Sequence, residues 1–552
     1  MADRRRNSRK QVNLIVQGGI MAVMSLLVNA CVLLCRIPLT ALWGDEGNGI
    51  YAASFGAFSL FWLICAYGLP LALSGLLKTR LKREQYRNAG VVMQSAFWYA
   101  VIMGVGLGAL LFLGSDFIAV HILSEPLAVL PMRLLAPALF FMALSGVLRG
   151  FFLGSGAVFP VLLSFLVEQA AAIAGGILLA HIEQGYGSKV GALLQNESFV
   201  RSFAVMGFAG GISAGALLSF LFLLGIYMMS HGYYKKRNGK NAPGRRENMF
   251  QACSVFMLSL LPVIFYGVLT RGYVTVQQLC FRLCLGERLD SRAVTGQWGI
   301  YDGKYKVLTM LPVILAAAMG VAVRDRVHAM YRKENWSRLR DFSQTVLKAV
   351  MVLVFPLSVL VGTLAVPILE ACFSGQDTES ASVLILSGFM TSVFFSASYL
   401  LAEMLLGMEQ KVLVLFCGFV AFSLHIGALY AMLEILDLGL SGVVYADILY
   451  GFCLLVLVGT AARKKCGFRH SLLRSMAAPL TASAVMGGIL YLLAKGLRDA
   501  LPASVLLAVL AASGIVIYTL ALLLLRGVSE KELRMIPGGM IVLKAGKALR
   551  VL

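Results

Sequence analysis

The chain has 552 residues, of which 59% are hydrophobic and only 14% charged, with a mean hydropathy of +0.83. A soluble protein carries roughly a quarter charged residues, so this composition excludes a soluble globular domain. Apolar runs of about 20 residues, enough to cross a ~30 Å hydrocarbon layer, recur along the whole chain; they are too continuous for the alternating strands of a membrane barrel.

The chain opens on "MADRRRNSRK", which has the charge of a signal-peptide n-region. The apolar run behind it is too long for an h-region and closes on no small-residue cleavage site, so it is expected to remain as the first span, 12–42. That span ends in "CRIPLTALWGDEGNGIY" (Cys35 to Tyr51), where Arg36 and Pro38 lead into an acidic, glycine-rich stretch. Further spans are expected at 47–77, 89–113, 128–153, 157–181, 203–230, 250–281, 300–323, 342–372, 380–407, 411–436, 438–462, 473–496 and 503–526. With this count "RRRNSRK", "KTRLKREQYR", "KKRNGKNAPGRR", "RDRVHAMYRKENWSRLR" and "RKKCGFRHSLLR" all fall on one side. The positive-inside rule makes that side, and both termini, cytoplasmic in a multi-pass cell-membrane protein. The net charge of +21 then reads as orientation signals that meet anionic headgroups. Membrane lipids are the expected partners; no nucleic-acid reading module is recognisable.

The expected fold is all-α and polytopic: about fourteen transmembrane helices, arranged as two six-helix bundles in a parallel pseudo-repeat plus two C-terminal helices. The N-terminal bundle covers 1–232, the cytoplasmic linker 233–249, the second bundle 250–470, the last two helices 471–528, and an interfacial amphipathic tail 529–552. The repeat rests on Gly49-Ile50-Tyr51 and Gly299-Ile300-Tyr301, which share one topological position six spans apart. An even offset keeps both copies in the same orientation, which relates them by an axis along the membrane normal. Both copies are expected on exterior loops, with Pro38, Gly49 and Gly299 as hinge or turn positions.

A charge at the middle of a span costs about 2.5–3.5 kcal/mol on the insertion scale, so intramembrane charges mark candidate sites. Arg36, Arg271, Lys304 and Lys306 all fall in the exterior half and are candidates for a cationic cavity wall suited to a phosphate or pyrophosphate; snorkelling to the interface is the plain alternative. Glu168, in "LLSFLVEQAAAI", is placed to pair with Arg149 across a helical hairpin as a gate, a coupling pair or a structural ion pair. Glu403, His425 and Asp447 lie in spans ten, eleven and twelve and are candidates for a polar patch in the second bundle. Glu403 and Asp447 join the candidate gate or coupling set.

No nucleotide-binding loop, H-E-x-x-H or domain-sized loop is present, so no enzyme activity and no cofactor is expected. The ten cysteines form no C-x-x-C pair, and no metal site is expected.

"RIPLTALWGDEGNGIY", "YGLPLALSGLLKTRLKREQYRNAG" (Tyr67 to Gly90) and "LLAPALFFMALSGVLRGFFLGSGAVFPVLLSFLVEQ" (Leu134 to Gln169) resemble the stage V sporulation protein B family of polysaccharide biosynthesis transporters. The likeness continues through "TMLPVILAAAMGVAV" and "FPLSVLVGTLAVPILEACFSG". That family belongs, with the MurJ-type lipid II flippases, to the multidrug/oligosaccharidyl-lipid/polysaccharide exporter (MOP, MATE-like) superfamily. The resemblance implies outward flipping of undecaprenyl-pyrophosphate-linked sugars for cell-wall, peptidoglycan or sporulation-related synthesis. It also implies cavity arginines on the pyrophosphate and a lipid groove formed by the last two helices. The sequence departs from the family at "VAVRDRVHAM" and "CLGERLDSRAVTGQWG". The expected partner is therefore a lipid-linked oligosaccharide, with Na+ or H+ as a candidate coupling cation. A cation-coupled multidrug antiporter and a non-transporting envelope scaffold are the alternatives.

Overall fold

The computed structural model describes residues 26–237, 247–286, 288–373, 377–467, 471–498 and 500–525. The basic N-terminus, the centre of the linker and the expected tail 529–552 lie outside the described residues. No strand occurs among the described residues. Twelve helices are long and apolar enough to cross a membrane, or thirteen when Ser291–Thr309 and Leu311–Arg332, bent by 53°, form one span. The first of them, Leu26–Lys82, runs for 57 residues, far beyond the ~20 one crossing needs. It breaks at Gly44, whose φ of 72° and ψ of −172° lie in a region essentially closed to other residues. Taken as two spans it yields the fourteen expected.

The principal helices are α1 Arg36–Trp62, α2 Leu69–Lys82, α3 Tyr86–Leu113, α4 Val129–Ser155, α5 Phe159–Leu194, α6 Ser198–Arg237, α7 Met249–Gly267 and α8 Tyr273–Leu285. They continue as α9 Ser291–Ile300, α10 Leu311–Arg332, α11 Trp336–Thr363, α12 Met390–Gly407, α13 Lys411–Tyr430, α14 Gly439–Cys466, α15 Ser471–Leu497 and α16 Ala503–Leu524.

Packing divides the chain into two compact units: residues 38–302, and the residues up to 37 together with those from 303 onward. This differs from the division at the 233–249 linker, because α7 and α8 pack within the first unit. Phe256 meets Tyr99 edge-on at 5.8 Å, and Gly267 admits Tyr67 so closely that a Cβ there would lie 2.8 Å from the ring. In the same unit Gly146, Gly150 and Gly154 of α4 receive Leu69, Leu73 and Leu77 of α2. Small residues four apart meet leucines four apart, the usual means by which membrane helices approach closely when lipid removes the hydrophobic drive. In the second unit α15 and α16 pack on α11 through Val352, Val359, Met486, Leu490 and Leu510. The Tyr518 hydroxyl donates to the Val352 carbonyl at 2.7 Å.

The acidic stretch after span one is not a loop. Apart from Gly44, α1 keeps helical geometry throughout, so Gly49 lies inside a helix. Gly299 lies inside α9, which starts at Ser291, upstream of the expected start of span eight. Neither glycine is a turn; the turn is Gly44. Asn48 joins the two arms of that turn by donating to Thr40 Oγ1 at 2.9 Å and accepting from Trp43 Nε1 at 3.0 Å.

Candidate functional site

Arg36 is buried, 7% exposed, at the point where α1 resumes after a one-residue break at Cys35. Pro38 has no N–H for the carbonyl of Leu34, four residues back, which places the break there. Arg36 belongs to the second unit and Arg271 to the first. Arg271 is exposed in the wide helical turn Val268–Gly272 between α7 and α8, with its guanidinium 5.3 Å from the centre of the Tyr67 ring, an attractive geometry for a cation over a π-face. Lys304 is fully buried and donates from Nζ to the Asp377 carbonyl at 2.6 Å. Lys306 is half-buried at the start of the short helix Lys306–Thr309.

Arg149 and Glu168 form an ion pair at 2.5 Å, each side chain 7% exposed. Arg149 also donates to Ser164 at 3.0 Å and to Ser219 at 2.8 Å, and its guanidinium lies 3.9 Å from the Phe165 ring centre. The pair thus joins α4, α5 and α6. A Cβ on Gly215 of α6 would lie 2.6 Å from the Glu168 carbonyl oxygen, so the glycine lets α6 close over this site.

In the second unit Glu403 does not join His425 and Asp447. It pairs with Arg324 of α10, and Gly320, one turn earlier, makes room for its stem. His425 and Asp447 are both buried. His425 Nδ1 lies 3.1 Å from the Ala446 carbonyl, and its ring lies 4.9 Å from that of Tyr450. Asp447 is in electrostatic range of Tyr305 and Tyr450. Tyr305 in turn contacts the Gly388 carbonyl and Thr391, each at 3.3 Å.

The ion pairs among the described residues that were not expected from the sequence include three groups in the first unit. Arg282 pairs with Glu125 at 3.1 Å, both almost wholly buried, and Thr295 donates to the same carboxylate. Arg80 pairs with Glu247 at 2.7 Å. Glu46 pairs with Arg201 and lies 3.6 Å from Arg292, which donates to Ser198 at 2.9 Å.

Stage V sporulation protein B of Bacillus subtilis is 24% identical over 164 residues, 29% of this chain and 32% of that protein, so the match spans about a third of that relative's length. The lipid II flippase MurJ of the same organism is 21% identical over 486 residues, 82% of this chain and 83% of that one. The solved inward-closed lipid II flippase MurJ superposes with a TM-score of 0.62 at 14% identity, covering 91% of this chain and 98% of that chain. An inward-facing multidrug MATE transporter of the MOP superfamily gives the same score and identity over 82% and 98%. Likenesses at that identity establish a shared MurJ/MATE fold. Residues 15–323, more than half of the sequence, match the polysaccharide biosynthesis protein model, and the chain belongs to that family.

Proposed function

We propose that the chain is a flippase that moves an undecaprenyl-pyrophosphate-linked glycan precursor, lipid II or a related intermediate, outward across the cytoplasmic membrane by alternating access. The observation that carries this reading is the alignment with a lipid II flippase over four-fifths of both chains. Arg36 and Arg271 would contact the pyrophosphate, since guanidinium groups bind such oxygens bidentately, with Lys306 as a supporting cation. Lys304 spends its ammonium on a backbone carbonyl and contributes less. Both termini are cytoplasmic in this reading. Arg149–Glu168, Glu403 and Asp447 form the gate or coupling set, with Na+ or H+ as the coupling cation.

The multidrug antiporter reading needs buried carboxylates available to a cationic drug. Glu168 and Glu403 are each held by an arginine, which favours the anionic cargo. The test is to neutralise the arginines. Arg36→Ala and Arg271→Ala should each abolish flipping while membrane abundance stays normal. Two alanine variants that transport normally would sink the proposal.

A further inference from the structure

Two wide helical turns face each other within residues 38–302. One, Leu63–Tyr67, lies between α1 and α2; the other, Val268–Gly272, lies between α7 and α8 and carries Arg271. In an α-helix, residues five apart point roughly 140° away from one another. An i→i+5 turn holds more residues per turn, so residues five apart return to nearly one face, and such turns are frequent at functional sites. This brings Trp62 and Tyr67 edge to face, with ring centres 5.4 Å apart. It also turns both Gly267 and Gly272 toward span two. A Cβ on Gly267 would lie 2.8 Å from the Tyr67 ring, and one on Gly272 would lie 3.1 Å from Leu60. With no side chain between them, the backbone of span seven closes on Tyr67, and Arg271 sets its guanidinium 5.3 Å from that ring's centre. Hydroxyls brace both turns: Tyr99 donates to the Ile64 carbonyl and Thr270 to the Tyr266 carbonyl, each at 2.7 Å.

Trp62 and Tyr67 are half-buried and Arg271 is exposed, so the three groups offer surface within the length of one phosphosugar. Among the described residues Arg80, Arg149 and Arg282 each hold a carboxylate, whereas Arg271 rests on a neutral ring and keeps its full charge for an anion. A pyranose supplies the complement to the rest. One face of the sugar is made of C–H bonds with partial positive charge, and the face of an aromatic ring is its negative side. We infer that Trp62 is a glycan-recognition residue: it receives the C–H face of the cargo's first sugar while Arg271 takes the adjoining pyrophosphate. Tyr67 is the positioning residue that holds the guanidinium beside it. Spans two and seven come from the two halves of the sequence, which alternating access draws apart, so the subsite belongs to this state and comes undone as the cargo leaves. This inference rests on the flippase reading and adds that the first sugar is read together with the pyrophosphate.

The test uses the purified full-length protein in detergent and two probes: a short-chain isoprenyl pyrophosphate, and the same lipid with one N-acetylglucosamine on its terminal phosphate. Kd is measured for each by titration calorimetry. The parent should bind the glycosyl lipid about fivefold tighter, the worth of one aromatic contact. Trp62→Leu should abolish that preference while Kd for the sugarless lipid stays within about twofold; Trp62→Phe, which keeps a ring, should retain most of it. Tyr67→Leu should weaken both lipids alike by about fivefold. Tyr67→Phe should restore them, because the ring and not its hydroxyl carries Arg271. A preference that survives Trp62→Leu, or a loss that falls equally on both lipids, overturns the inference. If Trp62→Leu does not fold, Trp62→Met, whose flexible chain fills irregular gaps, is read in the same way. A parent that binds both lipids equally overturns the inference and leaves the flippase reading standing. One that binds neither ends the flippase reading, and the inference with it.

Discussion

Gly49 and Gly299, the matching glycines of the two Gly-Ile-Tyr copies, meet across the contact between α1 and α9. A Cβ on Gly299 would overlap the Asp45 carbonyl and lie 2.9 Å from the Gly49 nitrogen, and a Cβ on Gly49 would overlap the Thr295 carbonyl. The repeat therefore places the two copies in contact with each other, backbone to backbone, as small residues do where membrane helices cross.

Substitution at that contact should be costly. Gly299→Ala forces the helices apart, and overpacking of this kind costs about 1–3 kcal/mol. Gly296→Ala, one turn earlier on the same helix, meets nothing within 4 Å and should be neutral or stabilising, because alanine is the better helix former by about 1 kcal/mol. Thermal unfolding midpoints of the two variants in detergent separate the effects. Equal midpoints would show that the crossing is not tight.

Gly44 is a different case. A Cβ there would meet nothing within 4 Å, so space is no obstacle; the backbone conformation is. A residue with a side chain held at such φ and ψ pays about 1–3 kcal/mol. Gly44→Ala should lower the unfolding midpoint although it touches no neighbour. Gly106→Ala, equally unobstructed but helical, is the comparison. A midpoint for Gly44→Ala no lower than that of Gly106→Ala would mean that the turn relaxes without cost.

What the sequence disclosed follows from how far apart the partners lie. The spans were legible because a crossing needs a continuous apolar run. Arg149–Glu168 was legible because adjacent spans of a hairpin must face each other, and the residues lie 19 apart. Arg282–Glu125 was not, since its members are separated by 157 residues and neither lies mid-span. The two stretches that fit the family poorly were nevertheless informative. "VAVRDRVHAM" supplies Arg324 to Glu403, and "CLGERLDSRAVTGQWG" supplies Arg292 and Thr295. The "GDEGNGIY" stretch read as a loop because glycines and carboxylates usually mark one. It is helical because Glu46 meets two arginines and Asn48 bonds back across the Gly44 turn.

The Arg324–Glu403 pair should separate a transport role from a structural one. Arg324 keeps 31% of its side chain exposed, so water can solvate it once its partner is neutral. Glu403→Gln should cost about 1 kcal/mol or less, as for partly exposed pairs. If Glu403 takes part in coupling, the same variant slows flipping at least tenfold with an unfolding midpoint close to the parent's. Normal flipping at that stability would remove Glu403 from the coupling set.

Arg149–Glu168 is the stricter test, because each side chain is only 7% exposed. Glu168→Gln or Arg149→Met alone leaves a buried ion without its counter-charge, at a cost of about 3–5 kcal/mol. Loss of Arg149 also strips a donor from the Ser164 and Ser219 hydroxyls, adding a smaller penalty. Removing both charges, as Arg149→Met with Glu168→Met, should recover most of that loss, and the non-additivity across the double-mutant cycle measures the pair. Flipping in the recovered double variant then decides its role. A stable double variant that still flips makes the pair an architectural bolt through α4, α5 and α6. One that folds to normal abundance but no longer flips assigns the charges to transport, and no interaction confined to folding explains that outcome.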